Sequence, residues 1–210
     1  MTLYLDSALL EDARTAAALG YVRGITTNPT LMAKAGRPPE TVMAELCDAC
    51  AGTVFYQLTA PSVAERETEA RRMLALRPNL GLKIPTTPEN LALGARLARE
   101  GAVVGMTAIF SAAQVYLACQ AGARYVLPYV NRSTRLLGDG LALVREMRGI
   151  IDAQRAPVEI VAASIKSPAE AAGTVLAGAH HLTLPLSVIT AMGQHALSDQ
   201  AIAEFAQPPA

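Results

Sequence analysis

Lys83 stands in "LGLKIP" (80–85), where it alternates with Leu80, Leu82 and Ile84 as side chains do on the two faces of a strand. The aliphatic trio takes one face and the lysine takes the other. Two uses fit a lysine so placed. One is a charge that guards a solvated edge strand against pairing; the other is an amine kept in an enclosed site for chemistry. That chemistry would be nucleophilic. An ammonium cannot attack a carbonyl, and the ordinary lysine pKa is about 10.4. Burial disfavours the charged form and lowers that value. The neutral amine can then form a Schiff base, whose protonated form draws electrons from the adjacent carbon–carbon bond. Such a reaction needs an acid/base group and polar side chains for substrate hydroxyls. Asp6, Asn28, Gln57, Thr107 and Tyr129 are of the right types. No metal or cofactor is required, and His180, His181 and His195 show no chelating pattern with acids, so they read as structural.

The elements that must position these residues alternate along the chain. Strand-like runs lie at 3–6, 24–27, 54–58, 80–84, 103–109, 125–130, 158–164 and 181–186. Helical patterns such as "SVAERETEARRMLALR", "TPENLALGARLAREG", "SAAQVYLACQAG" and "SPAEAAGTVLAGA" separate them, several with Ser, Thr or Pro at the start and Gly near the end. Eight strands, each followed by a helix, predict a single-domain parallel α/β fold over 1–210. An open doubly wound sheet often carries a glycine-rich loop after its first strand, but "SALLED" has no glycine. The expectation is therefore a closed (β/α)₈ barrel with a short C-terminal tail, "PPA" at 208–210 being frayed.

In such a barrel the site lies at the C-terminal ends of the strands. Reading each run to its end collects Asp6, then Thr26, Thr27 and Asn28, then Gln57, Lys83, Thr107, Tyr129 with Asn131 and Arg132, and Ser164. A closed barrel has no edge strand, so the guarding use of Lys83 falls away and the side chain is expected to point inward.

Composition narrows the function classes. Apolar residues make up 51% and charged residues 17%, which excludes a disordered chain. Basic and acidic residues balance at 18 each, leaving no electrostatic footprint for nucleic acid or an anionic membrane. No apolar run reaches membrane-spanning length, and "MTLYLDSALLED" lacks the charged start of a signal peptide. Three cysteines fit a reducing compartment, so a cytoplasmic location is expected. The Cys47–Cys50 pair falls late in a helical segment and not at a helix start, and reads as structural.

The runs "LYLDSA", "GITTNPTLM", "GLKIPTTPENLAL", "MTAIFSAAQ", "YVLPYVNR" and "VAASIKSPAEA" resemble the short-chain transaldolase family, which includes fructose-6-phosphate aldolases, over nearly the whole chain. The resemblance implies a (β/α)₈ barrel and a class I mechanism with Lys83 as the Schiff-base lysine. It implies Asp6 in proton transfer, Asn28 on donor hydroxyls, and Thr107 with Gln57 holding a catalytic water. Thr26 is expected to contact substrate, and Arg132 and Ser164 to bind the acceptor's phosphate. Transaldolases typically carry a glutamate on the third strand, where this chain has Gln57. An amide cannot exchange a proton, so the acid/base task would pass to Tyr129 through that water. This pairing is similar to the fructose-6-phosphate aldolase branch. It implies reversible cleavage of fructose 6-phosphate to dihydroxyacetone and glyceraldehyde 3-phosphate.

Each residue also has a plainer use. Thr26 and Thr27 could be turn and packing residues, Asp6 and Ser164 could cap helices, and Tyr129 could fill the barrel. Lys166 could be a second cation for phosphate or a solvated charge. The competing functions are transaldolase transfer of a dihydroxyacetone unit between sugar phosphates, and a non-catalytic sugar-phosphate-binding barrel. The family implies a homo-oligomer, often a decamer of two pentamers, in which a longer C-terminal helix packs on a neighbouring subunit of the ring. Here "SDQAIAEFAQPPA" is short and ends near two prolines, so that contact is not assumed.

Overall fold

The computed structural model describes residues 2–206. In chain order it runs β1 (Thr2–Asp6), α1 (Leu10–Ala18), β2 (Val22–Thr26), α2 (Pro29–Ala35), α3 (Pro39–Ala49), β3 (Val54–Gln57), α4 (Val63–Leu74), β4 (Leu80–Pro85), α5 (Pro88–Arg99), β5 (Val104–Ile109) and α6 (Ala112–Gln120). It continues with β6 (Tyr125–Pro128), α7 (Val130–Leu137), α8 (Gly140–Gln154), β7 (Glu159–Ala162), α9 (Pro168–Leu176), β8 (His181–Leu184), α10 (Leu186–Met192) and α11 (Ala196–Phe205). The strands pair in chain order, all parallel, and β8 returns to β1 to close the expected barrel. Where one helix per strand was expected, β2, β6 and β8 are each followed by two. No helix among the described residues is long and apolar enough to cross a membrane. The tail at 208–210 lies outside the described residues.

Period-two alternation sorts the side chains. Leu5, Ile25, Leu82, Ile84 and Met106 face outward and pack with Met43, Leu46, Met73, Leu93 and Leu97 of the helices in one buried cluster. The inward set at the base of the barrel is a second, smaller cluster of Tyr4, Phe55, Leu127 and Val161. Phe55 meets Tyr125 edge-on at 5.5 Å, and His181 closes the same layer against Tyr4 and Tyr125 at 6.0 Å. Gly24 and Gly81 take inward positions because rings occupy their side-chain space: a Cβ on Gly24 would strike the Tyr4 ring, and one on Gly81 the Phe55 ring.

Polar punctuation starts the helices. Asn28, Thr87, Ser111 and Ser167 accept from the backbone N–H three residues on, and Ser62 with Glu65 forms a reciprocal capping box. The Ser164 capping alternative therefore goes to Ser167, and Asp6 does not cap α1, whose N-cap position is Leu9 and which has no side-chain cap. Cys47 lies in the last turns of α3 and Cys50 ends it. Burial pushes the Cys47 thiol up to about 12, and Asn79 binds the Cys47 and Cys50 carbonyls at 3.0 and 2.8 Å, so the pair belongs to a packed helix end. Each of the three histidines accepts a backbone N–H through Nδ1: His181 from Thr2, His180 from Ile160 and His195 from Leu197.

Several strands end earlier than their apolar runs. β6 stops at Pro128; Tyr129 makes a single bridge to Ala163 and then starts α7. β8 stops before Pro185, which has no N–H to continue a ladder and starts α10. The consequence is that Tyr129 and Ser164 sit on the rim, in the loops above the strands.

Gly24→Ala is expected to lower stability by about 1–3 kcal/mol through overpacking against Tyr4. Urea unfolding should show a lower midpoint at unchanged slope.

Candidate active site

A cavity of about 490 Å³ opens at the C-terminal rim and is lined by Asp6, Asn28, Gln57, Lys83, Tyr129, Arg132 and Ser164, together with Lys34 and Lys166. The alternation on β4 does what the sequence implied: Lys83 points into the barrel and is 2% exposed. Its Nζ donates to the Thr27 carbonyl at 2.8 Å. That carbonyl is presented by the turn between β2 and α2, which Thr27 ties to β3 by donating N–H and Oγ1 to the Phe55 carbonyl at 3.1 and 2.8 Å. Burial pulls the Lys83 ammonium down to about 8, and the Asp6 carboxylate opposes the fall. At pH 7 a pKa of 8 leaves roughly a tenth of the amines neutral, against fewer than about one in a thousand at the ordinary value.

Asp6 ends β1. Its carboxyl keeps a face open to the cavity, yet the surrounding protein pushes it above its usual range. Lys83, a hydrogen bond from Thr26 and Lys166 all act in the opposite direction. Asp6 and Lys83 thus move toward each other in proton affinity, and they titrate as a pair.

Gln57 is directly opposite Lys83 in the β3–β4 register, and its Oε1 is buried without a hydrogen bond from the described residues. Its strand end is held from behind. Glu69 of α4 accepts from the Tyr56 hydroxyl at 2.8 Å, the Thr59 and Ala60 N–H groups at 3.0 Å and the Thr59 hydroxyl at 3.1 Å. One buried carboxylate therefore clamps the loop that follows Gln57. Thr107 lies beside a bulge between Thr107 and Ile109, where Ala108 adopts φ 55°. Its hydroxyl makes only a long 3.4 Å contact with the Leu127 carbonyl.

The opposite wall is cationic. Arg132 stacks over the Tyr129 ring with its guanidinium carbon 4.8 Å from the centroid, leaving its N–H groups directed at no carboxylate among the described residues. Phe110 meets the other side of Tyr129 edge-on at 6.2 Å. Ser164 holds φ 59°, a left-handed conformation uncommon outside glycine, and its carbonyl accepts from Asn131 N–H at 3.0 Å. Lys34 and Lys166 complete this side without carboxylate partners among the described residues.

Of the strand-end residues collected from sequence, Thr26, Thr27, Thr107 and Asn131 do not line the cavity. Thr107 is fully buried off its wall. Thr26, expected to touch substrate, is fully buried as well and spends its hydroxyl on Asp6 at 2.9 Å and Thr183 at 2.6 Å. Alternation gives a side chain's face but not its partners: Thr26 stands level with Asp6 in the β1–β2 register and its hydroxyl is taken up there. Lys34 and Thr183 were missed. Thr183 carried a readable signal, since it sits between Leu182 and Leu184 and must face inward. Lys34 carried none, because only the packing of α2 brings it to the rim.

The family described as Transaldolase/Fructose-6-phosphate aldolase matches residues 3–208. A "Probable transaldolase" of Thermus thermophilus is 40% identical over 214 residues, spanning 98% of this chain and 96% of its own length. Proteins of the same description from Streptococcus agalactiae and Lactiplantibacillus plantarum are 38% and 37% identical, each spanning 98% of this chain and 95% of its own.

Competitive acetylation followed by peptide mass spectrometry should show Lys83 gaining reactivity with a midpoint near pH 8. Asp6→Asn should move that midpoint lower still, because the carboxylate is what holds the ammonium up.

Proposed function

The chain belongs to the transaldolase/fructose-6-phosphate aldolase family, and we propose that its cavity reversibly cleaves fructose 6-phosphate to dihydroxyacetone and glyceraldehyde 3-phosphate. The neutral amine of Lys83 adds to the ketose carbonyl. Asp6 carries protons as the carbinolamine forms and loses water to the iminium. The iminium accepts the electron pair of the breaking carbon–carbon bond while the neighbouring hydroxyl gives up its proton, releasing the aldehyde. Tyr129 handles that proton through a water held by Gln57. Protonation of the enamine and hydrolysis then free dihydroxyacetone and restore Lys83. Asn28 binds donor hydroxyls. Arg132 and Ser164 take the phosphate, with Lys166 beside them, and a guanidinium suits phosphate because its fork meets two oxygens in parallel. Thr26 serves Asp6 and not the substrate.

The observation that carries cleavage over transfer is Gln57. It faces Lys83 with an unpaired amide oxygen and brings no titratable proton to the intermediate. The intermediate's fate then rests on Tyr129 and water, which favours protonation and release. The transaldolase reading is supported by the printed description of the relatives; under it the same intermediate waits for a second aldose. A homo-oligomer of decamer size belongs to the proposal too. The exposed Leu197, Ile202 and Phe205 of α11, a helix that buries none of its residues, are suited to burial against another copy, and light scattering reads the assembly.

Borohydride treatment with dihydroxyacetone should add one dihydroxyacetone, less one oxygen, to the intact mass. Lys83→Ala should take up nothing, and an unlabelled but folded wild type would end the Schiff-base reading. Gln57→Glu should raise transfer to an added aldose phosphate over free dihydroxyacetone release by about tenfold. An unchanged product ratio would remove the division between the two readings.

A further inference from the structure

Behind Asp6 lie two side chains that no step above requires. Thr26 of β2 and Thr183 of β8 flank Asp6 of β1, so three adjacent strands contribute one residue each. Both threonines are fully buried. The Thr26 hydroxyl donates to Asp6 Oδ1 at 2.9 Å, and the Thr26 and Thr183 oxygens stand 2.6 Å apart. A hydroxyl has one proton and room to accept two. With Thr26's proton on the carboxylate, the short contact can be donated only by Thr183. The chain therefore runs one way, Thr183 to Thr26 to Asp6, and it ends on the charged form of the carboxyl.

We propose that Thr183 is a positioning residue for the proton-transfer step: its hydroxyl orients Thr26 and, through it, holds the Asp6 carboxylate in the accepting state and aimed at Lys83. Thr183 never touches substrate, since it lies off the cavity wall. Donation into Thr26 makes its own O–H a stronger donor, because linked hydrogen bonds in a low-dielectric interior polarise one another. Without Thr183 the Thr26 hydroxyl is free to rotate and the carboxylate loses part of its support. Its charged form then becomes less favourable. The inference rests on Asp6 being the proton carrier at Lys83. The other charged groups facing Asp6 are Lys83 from β4 and Lys166 from the loop before α9. Lys34 and Arg132 share its cavity, and Asp12, hydrogen-bonded to Ser7 at 2.6 Å, lines the adjoining one. None of these contacts the two threonines through a hydrogen bond, so substitution at 183 acts on Asp6 through Thr26.

The test compares Thr183→Val, which removes the hydroxyl and leaves no space for a replacing water, with Thr183→Ser, which keeps it. The readout is the pH profile of kcat/KM for ketose-phosphate cleavage, beside the profile of borohydride trapping with dihydroxyacetone. Thr183→Val is expected to lower kcat/KM about tenfold at neutral pH, mostly in kcat. The acid limb of both profiles, which belongs to the Asp6–Lys83 pair, should move to higher pH. Thr183→Ser should restore limb and rate. An unmoved limb, with or without a loss of rate, would overturn the proposal, since a purely structural defect lowers activity evenly across pH. Failure of Thr183→Ser to restore the limb would overturn it as well. If Thr183→Val does not fold, Thr183→Ala supplies the same comparison. Asp6→Asn separates the premise from the inference. A variant as active as wild type would remove the premise, whereas an inactive Asp6→Asn beside an unmoved Thr183→Val limb would overturn the inference alone.

Discussion

The structure turns on one costly arrangement, an amine that must sometimes be an ammonium at a place with almost no water. Lys83 is 2% exposed, with one carbonyl and one nearby carboxylate for company. Displacing its pKa from 10.5 to about 8 corresponds to on the order of 3 kcal/mol taken from stability. The sign follows from proton counts. Between about pH 8 and 10.5 the unfolded chain holds the lysine proton and the folded one does not, so this contribution makes the fold more stable as pH rises through that window. Below it the full cost is present. The rest of the barrel has to carry that cost, and it does so with the apolar shell between strands and helices.

Closure of the sheet makes the arrangement tolerable. In a closed parallel barrel every strand has two paired edges, so the polar backbone is satisfied without water and the interior is free to be specialised. Here it is divided by depth. The base is filled by Tyr4, Phe55, Leu127 and Val161, with Tyr125 and His181 around them, and glycines where rings need room. The rim carries Asp6, Gln57, Lys83 and Tyr129. The packed rings fill the barrel from below, and the cavity is lined by the residues of the rim.

The rim is also where the chain spends its least regular backbone. Ser164 and Ala108 adopt left-handed conformations, and β6 gives way to α7 at Tyr129. Each departure aims a polar or cationic group at the cavity or away from a strand that would have hidden it. Supports behind the rim are charged or hydroxylic and fully engaged: Glu69 on the β3 loop, Thr27 on Phe55, Thr183 and Thr26 on Asp6. Local disorder at these points would cost geometry, since groups that transfer protons lose effectiveness with small misplacements.

Much of this was legible in the sequence. Alternation around Lys83, Ser and Thr before several helical runs, and strands recurring eight times together determined a closed barrel with an inward lysine and polar strand ends. Those signals are local, set by side-chain periodicity and by capping chemistry within a few residues. Depth, strand ends and partners were not legible. Thr26 and Asp6 occupy successive strand ends of the same kind and stand level in the register between β1 and β2, which is what brings the Thr26 hydroxyl onto the Asp6 carboxyl. Lys34 reaches the cavity only because α2 lies over the rim. Thr183 meets Thr26 only because the last strand closes against the first, across 157 residues of chain. Which face a residue takes is decided by its neighbours in sequence. What it touches on that face is decided by strand register and ring closure, which arise only when all eight strands are in place.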